Sequence, residues 1–250
     1  PLKPDLVKGF YKISSLFFPF RVFKLLPWMY TTFKAELDSL KENDIIFHLY
    51  GEGTLFLSGF SMFRKNKRVI ATFHEPEKRF KQCMPFYWKF LLKDAEIIVI
   101  SPSQKKFFEK YFPKHKIHLI PHGIDIHYFK PDSKIKKKNQ IIAVGNYSRD
   151  YDALLKAMEL VKKNLPDLKL IIVAKDTDKK YNANYELKKD VSDSELLRLY
   201  RESLFQVLPL NIGTANNALL EGCACGLPLI SIDSENIKFY FNDVITYNTY

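Results

Sequence analysis

Short apolar runs recur along the chain, divided by polar, glycine- and proline-bearing stretches or by segments with apolar residues at helical spacing. The clearest block is residues 205–232, FQVLPLNIGTANNALLEGCACGLPLISI. FQVLPL has the length and character of a covered strand. Asn211-Ile212-Gly213 carries turn chemistry, and Thr214 stands where the N-cap of the next segment belongs. Residues 215–225 are small and apolar on every face, which predicts a buried helix. Gly226 falls at the C′ position, Pro228 forbids continuation, and residues 227–232 supply another strand. Such a unit aims free helix N–H groups at the carboxyl edge of a parallel sheet, where phosphates bind. The free N–H groups here would be those over Thr214, Ala215 and Asn216. Glu221 is the only carboxylate in this helix, about two turns or roughly 10 Å beyond Thr214 on the same face. A carboxylate on a buried helix needs partners. With a diphosphate at the helix start, Glu221 would accept from hydroxyls of an attached sugar.

The rest of the chain follows the same rhythm. Residues 44–50 (DIIFHLY), 68–73 (RVIATF), 95–100 (AEIIVI) and 117–120 read as strands in the first half. Gly51-Glu52-Gly53 reads as a turn into a helix toward Phe63, residues 86–93 as a helix, and Ser101-Pro102-Ser103 as another helix start capped by Ser101 or Ser103. In the second half, residues 140–144 (QIIAV) form a strand, Gly145-Asn146-Tyr147-Ser148-Arg149-Asp150 its loop, and residues 151–163 a helix with Leu154, Leu155, Met158 and Val161 at helical spacing. Residues 168–175 make the next strand and residues 176–189 a polar loop. Ser192-Asp193-Ser194-Glu195 is a capping box, and its helix buries Leu196, Leu197, Leu199 and Tyr200. Alternating strands and helices predict an α/β fold with parallel sheets. Pro121-His122-Gly123-Ile124-Asp125 reads as a hinge before the lysine run at 134–138, dividing the chain into domains 1–124 and 125–250.

Chemistry concentrates at strand ends. His74 is the first residue past RVIATF, with Glu75 beside it as a weaker candidate. Arg149 lies in a second strand-to-helix loop, where a guanidinium makes a bidentate, permanently charged clamp on phosphate oxygens. Lys175 ends the following strand and is a further cation for the same anion, or a surface lysine.

Composition narrows the partners. The chain has 250 residues, 46% hydrophobic content and a net charge of +11, enough core for folded domains and a bias toward anions. Nucleotide diphosphates and an anionic membrane surface remain as partners; nucleic acid does not, because no recognition motif accompanies the charge. Residues 6–33 are apolar, aromatic and basic, but Pro19, Arg21, Lys24 and Pro27 break them up below a membrane span, and no signal-peptide cleavage site follows. They form either domain helices or a segment lying on a membrane surface or acceptor groove. Three cysteines without metal-type spacing indicate a reduced, cytoplasmic setting. The start without Met and the end at Tyr250 predict a fragment lacking the first βα units of one domain and the last helices of the other.

The residues Val191 to Leu196 (VSDSEL), Leu208-Pro209, Leu219-Leu220-Glu221 and Ala224-Cys225-Gly226-Leu227-Pro228 resemble the nucleotide-binding motif of retaining GT-B glycosyltransferases of family 4. Pro121 to Asp125 with Tyr128-Phe129-Lys130-Pro131 resembles their crossover, in which His122 and His127 are not ligands. The resemblance implies two Rossmann-like domains with a cleft between them, and metal-independent, cofactor-free transfer of a sugar from a UDP-, GDP- or ADP-sugar to a glycan or lipid-linked acceptor, with retention. It implies Glu221 on the donor ribose, His74 facing the donor sugar, and Arg149 on the diphosphate, with Lys175 left by its strand-end position as either a compensating cation or a surface lysine. Two positions depart from the pattern: Gly213 stands where the family has a sugar-contacting glutamate, and Asn146 where it usually has an arginine. Alternatives of the same fold are a member that binds nucleotide sugar without transfer and a nucleotide-sugar epimerase.

Overall fold

The computed structural model describes residues 45–54, 68–83, 92, 95–175, 185–213, 215–241 and 244–247. The chain divides into two compact units, Pro1–Ile120 and Pro121–Tyr250. In the first, β1 (Ile45–His48), β2 (Arg68–Phe73), β3 (Ala95–Val99) and β4 (Ile117–Leu119) form a parallel sheet in sequential order. Helices α1 (Gly51–Thr54), α2 (Glu77–Cys83) and α3 (Pro102–Tyr111) lie between the strands in sequence. The aliphatic runs pack because β2 and β3 bury Ala71, Phe73, Ile97 and Val99 against Phe80 and Phe108; the Phe73 and Phe108 ring centres are 4.8 Å apart. Gly51 lets α1 begin directly on this sheet, since a Cβ there would come within 2.9 Å of the Phe73 ring.

Gln104, fully buried on α3, fixes the carboxyl end of the sheet. Its amide donates to the carbonyls of Phe73 (3.1 Å) and Glu75 (2.8 Å), and its oxygen accepts from the Ile100 N–H (3.0 Å) and the Ser101 hydroxyl (3.1 Å). One side chain thus satisfies backbone groups of the loops after both β2 and β3, where buried polar groups without partners are costly. Ser101 is the N-cap of α3 by position, but its hydroxyl serves Gln104 instead of a helix N–H.

In the second unit, β5 (Gln140–Val144), α4 (Tyr151–Val161), β6 (Lys169–Val173), β7 (Tyr185–Lys188), α5 (Asp193–Glu202), β8 (Gln206–Leu208), α6 (Asn217–Ala224), β9 (Leu229–Ile232), α7 (Glu235–Tyr240) and β10 (Ile245–Tyr247) follow in order. They build a parallel six-stranded sheet, β10-β9-β8-β5-β6-β7. The central strand β5 is buried along its whole length. Its two faces are covered separately, by Leu199, Tyr200 and Leu219 on one side and Leu154, Leu155 and Met158 on the other. The chain runs outward from β5 through β6 and β7, then restarts at β8 on the opposite side of β5. That reversal is a topological switch point, where the loops after adjacent strands splay and ligands bind.

Several expectations need correction. Residues 185–188, expected in a polar loop, form the edge strand β7, parallel to β6. The polar sequence YELK hides it because only Tyr185 and Leu187 pack inward, while Lys188 pairs outward with Glu186 at 2.9 Å. Helix α2 was not expected. The helix expected over 215–225 begins only at Asn217, after an Asn216 N-cap. Thr214, the helix expected at 86–93 apart from Leu92, and residues 6–33 lie outside the described residues. Among the described residues, no helix is long and apolar enough to cross a membrane.

Candidate functional site

The loops after β5 and β8, one on each side of the switch point, are stitched together by backbone. Asp150 N–H donates to the Pro209 carbonyl (2.6 Å), Asn211 N–H donates to the Ser148 carbonyl (3.0 Å), and Arg149 and Leu210 form an antiparallel bridge. Gly145 makes the turn out of β5 at φ +104, a left-handed conformation that favours glycine. A Cβ there would also lie 2.8 Å from Arg149 Nη2, so the glycine leaves room for the guanidinium.

Arg149 is folded back into this turn. Nε donates to the Val144 carbonyl (2.9 Å), Nη1 to the Tyr147 carbonyl (2.9 Å) and Nη2 to Asn216 Oδ1 (3.4 Å). Burial lowers its pKa from the ordinary 12.5. Among the described residues no carboxylate forms an ion pair with it. A half-buried guanidinium held by carbonyl oxygens and by no carboxylate among the described residues is suited to an anion.

Asn216 joins this cation to a helix start. Its Oδ1 also accepts from the Leu219 N–H of α6 at 3.0 Å. A helix start leaves its first N–H groups without intrahelical partners, and the cap takes only one of them. The start of α6, an end at which helices favour anions, and the Arg149 guanidinium are therefore brought to one place by a single side-chain oxygen. Ala215, half-buried, leads into the cap.

Glu221 lies one turn into α6, about 6 Å along the axis from Asn217, closer to the helix start than an N-cap at Thr214 would place it. It is half-buried, and Oε2 accepts from the Tyr200 hydroxyl of α5 at 2.9 Å. Burial raises the Glu221 pKa, and Asp193 adds to the rise, while the Tyr200 hydrogen bond opposes it. Burial, reinforced by Glu221, pushes the Tyr200 phenol well above its ordinary value. Tyr200 therefore remains the donor and Glu221 the acceptor.

Gly213 is not brought into this cluster through a side chain, and none would fit. An added Cβ would sit 2.5 Å from Ser234 Oγ and 2.6 Å from Ser234 Cβ, at the cap of α7. Its carbonyl is taken by the Asn236 amide at 2.7 Å. Lys175 is exposed at the end of β6, and its N–H donates to Asn146 Oδ1 at 2.8 Å. Asn146 thus shapes the loop rather than replacing a cation.

In the first unit, His74 stands at the carboxyl end of β2, as expected from RVIATF. Its N–H donates to Glu52 Oε1 at 3.0 Å, its Nδ1 lies 3.7 Å from the same oxygen, and its ring is 4.7 Å from that of Tyr50. Glu75 turns instead toward Arg79, at 3.7 Å. Sequence reasoning passed over Glu52 as part of a turn, Tyr200 as a core residue, and Gln104 altogether. The signal for Tyr200 was Glu221 itself, a carboxylate on an apolar helix that required a donor.

Residues 3–128 match the family model described as Glycosyltransferase Family 4, and residues 126–246 match that described as Glycosyl transferases group 1. No curated protein matches the chain in sequence. Among solved structures, sucrose-phosphate synthase from Thermosynechococcus elongatus is 16% identical with a TM-score of 0.66, covering 86% of this chain and 63% of its own. A mutant of S. aureus TarM, in complex with Fondaparinux, alpha-GlcNAc-glycerol and UDP, is 16% identical with a TM-score of 0.67, covering 86% of this chain and 48% of its own. A UDP-forming α,α-trehalose-phosphate synthase from Burkholderia vietnamiensis is 12% identical with a TM-score of 0.65, covering 88% of this chain and 67% of its own. The first of these is thus spanned over less than two thirds of its length. The shared architecture is the two-domain, parallel-sheet GT-B fold. With both halves matched in order, the chain belongs to Glycosyltransferase Family 4.

Proposed function

We propose that the chain transfers a hexosyl group from a nucleotide diphosphate sugar to a glycan or lipid-linked acceptor, with retention and without a metal ion. The observation that carries this reading is the meeting of Arg149 with the Asn216-capped start of α6, Nη2 to Oδ1 at 3.4 Å, at the switch point of a parallel sheet. A cation and a helix start together neutralise the charge that develops on a departing diphosphate. The bond from the anomeric carbon to the phosphate oxygen breaks, the acceptor oxygen takes its place, and the departing phosphate receives the acceptor proton. Glu221 accepts from the ribose, Lys175 adds a second cation, and His74 contacts the transferred sugar. Gly213, Thr214 and Ala215 contribute through the loop backbone. The UDP named in two of the similar structures makes a UDP-sugar the first donor to try, ahead of GDP- and ADP-sugars. A lipid-linked acceptor would place the enzyme on the inner face of a membrane, within the cytoplasm.

Calorimetric titration of the intact gene product with UDP-, GDP- and ADP-sugars tests this, beside Arg149→Gln and Glu221→Ala. Micromolar binding of one donor, weakened about tenfold or more in each variant, is the expected result. A folded wild type that binds none of the three overturns it. A second reading, binding without transfer, draws on the steric exclusion of any side chain at Gly213. Tight donor binding without turnover on any glycan or lipid-linked acceptor would favour it.

A further inference from the structure

Tyr200 is a fully buried phenol that the diphosphate chemistry does not use. Its ring sits in the core beside β5 and meets Phe129 edge-on at 6.4 Å. Among the described residues, its hydroxyl donates to one acceptor, Glu221 Oε2. One turn before Glu221 on this helix stand Asn217 and Ala218, and one turn after it Ala224 and Cys225; of these four only Asn217 carries an amide donor. Among the described residues, Glu221 Oε1 accepts no hydrogen bond.

We propose that Tyr200 is the positioning residue for Glu221, anchoring one carboxylate oxygen so that the other is held toward the ribose hydroxyls of a bound nucleotide. This rests on the nucleotide-sugar reading given above. A glutamate has three side-chain torsions, and fixing them costs free energy on each binding event unless it is done beforehand. The buried ring does it beforehand. Tyr200 has almost no torsional freedom in its packing, so its hydroxyl marks a fixed point about one turn from the start of α6. The anchored carboxylate reads the sugar part of the nucleotide, whereas the Arg149 side of the site reads only phosphate.

The consequence is a separation that a merely structural tyrosine would not produce. Binding of uridine diphosphate is compared with binding of its 2′,3′-dideoxy analogue in wild type, Tyr200→Phe and Glu221→Asp. The wild type is expected to prefer the ribonucleotide about tenfold or more, as loss of a hydrogen bond to a charged group requires. Tyr200→Phe keeps the ring and its packing, and should bring the preference within about twofold while affinity for the dideoxy analogue stays near wild type. Glu221→Asp keeps the charge but withdraws it from the hydroxyl, and should lose the preference likewise; it decides the matter if Tyr200→Phe does not fold. A preference retained in either folded variant overturns the positioning role while leaving the nucleotide-sugar reading intact. A wild type that binds neither nucleotide overturns both.

Discussion

Glu221 carries its charge where burial makes that charge costly, and the cost has a sign that can be measured. Its pKa in the folded protein is raised above the ordinary 4.5, so the folded state binds this proton more tightly than the unfolded chain does. Stability from this group is therefore greatest at low pH and declines as pH rises from the unfolded value through the folded one. On the proposed reading donor binding runs the other way, because the ionised carboxylate is the stronger acceptor for a ribose hydroxyl. Affinity for UDP should fall on acidification with a midpoint above the ordinary 4.5, while the melting temperature gains from the same protonation. Glu221→Gln should flatten both curves, and raise the melting temperature at neutral pH. Calorimetry and thermal melts across the acid range read the two effects on one protein. A variant whose binding curve keeps the wild-type inflection would assign the titration to another group.

Between the loop after β8 and α7 the limiting quantity is space. Gly213→Ala places a methyl against both the hydroxyl and the Cβ of Ser234, and overpacking of this kind costs about 1–3 kcal/mol. Ser234→Gly removes both clashing atoms and costs only a few tenths as an N-cap change. The double variant should therefore recover most of the lost stability in urea melts. If it recovers none, backbone conformation and not Ser234 is what excludes the side chain. The same contact shows what a linear reading can and cannot find. Strands such as RVIATF and QIIAV are visible because covered strands are continuously apolar, and both have the bounds their pattern predicts. β7 is not, because an edge strand buries only alternate residues. Within the site, Arg149 and Glu221 stand out as charges in apolar or turn surroundings. Their partners do not: Tyr200 and Glu221 are 21 residues apart, Glu52 and His74 22. Each pairing exists only once a parallel sheet has packed the elements that carry its two residues side by side.

At the scale of the whole chain, a net charge of +11 offers a rival explanation for any affinity toward a nucleotide. The two explanations differ in reach. Thirty-nine lysines and arginines against 28 acids make a field spread over the surface. Such a field acts through solvent and is screened once the Debye length shrinks from about 10 Å at 0.1 M salt to about 3 Å at 1 M. A guanidinium held by the carbonyls of Val144 and Tyr147, next to a helix start, is screened far less, since the ligand meets it by direct contact out of bulk water. Raising NaCl from about 0.05 to 0.5 M should then weaken UDP binding by no more than about threefold, against the tenfold or greater loss of an association carried by dispersed lysines. Arg149→Gln should lower affinity by a similar factor at both salt concentrations, whereas neutralising two lysines of the run at 134–138 should matter only at the lower one. A steep salt dependence in wild type, unchanged by Arg149→Gln, would move the affinity from the switch point to the surface, and the transferase reading would lose the site on which it stands.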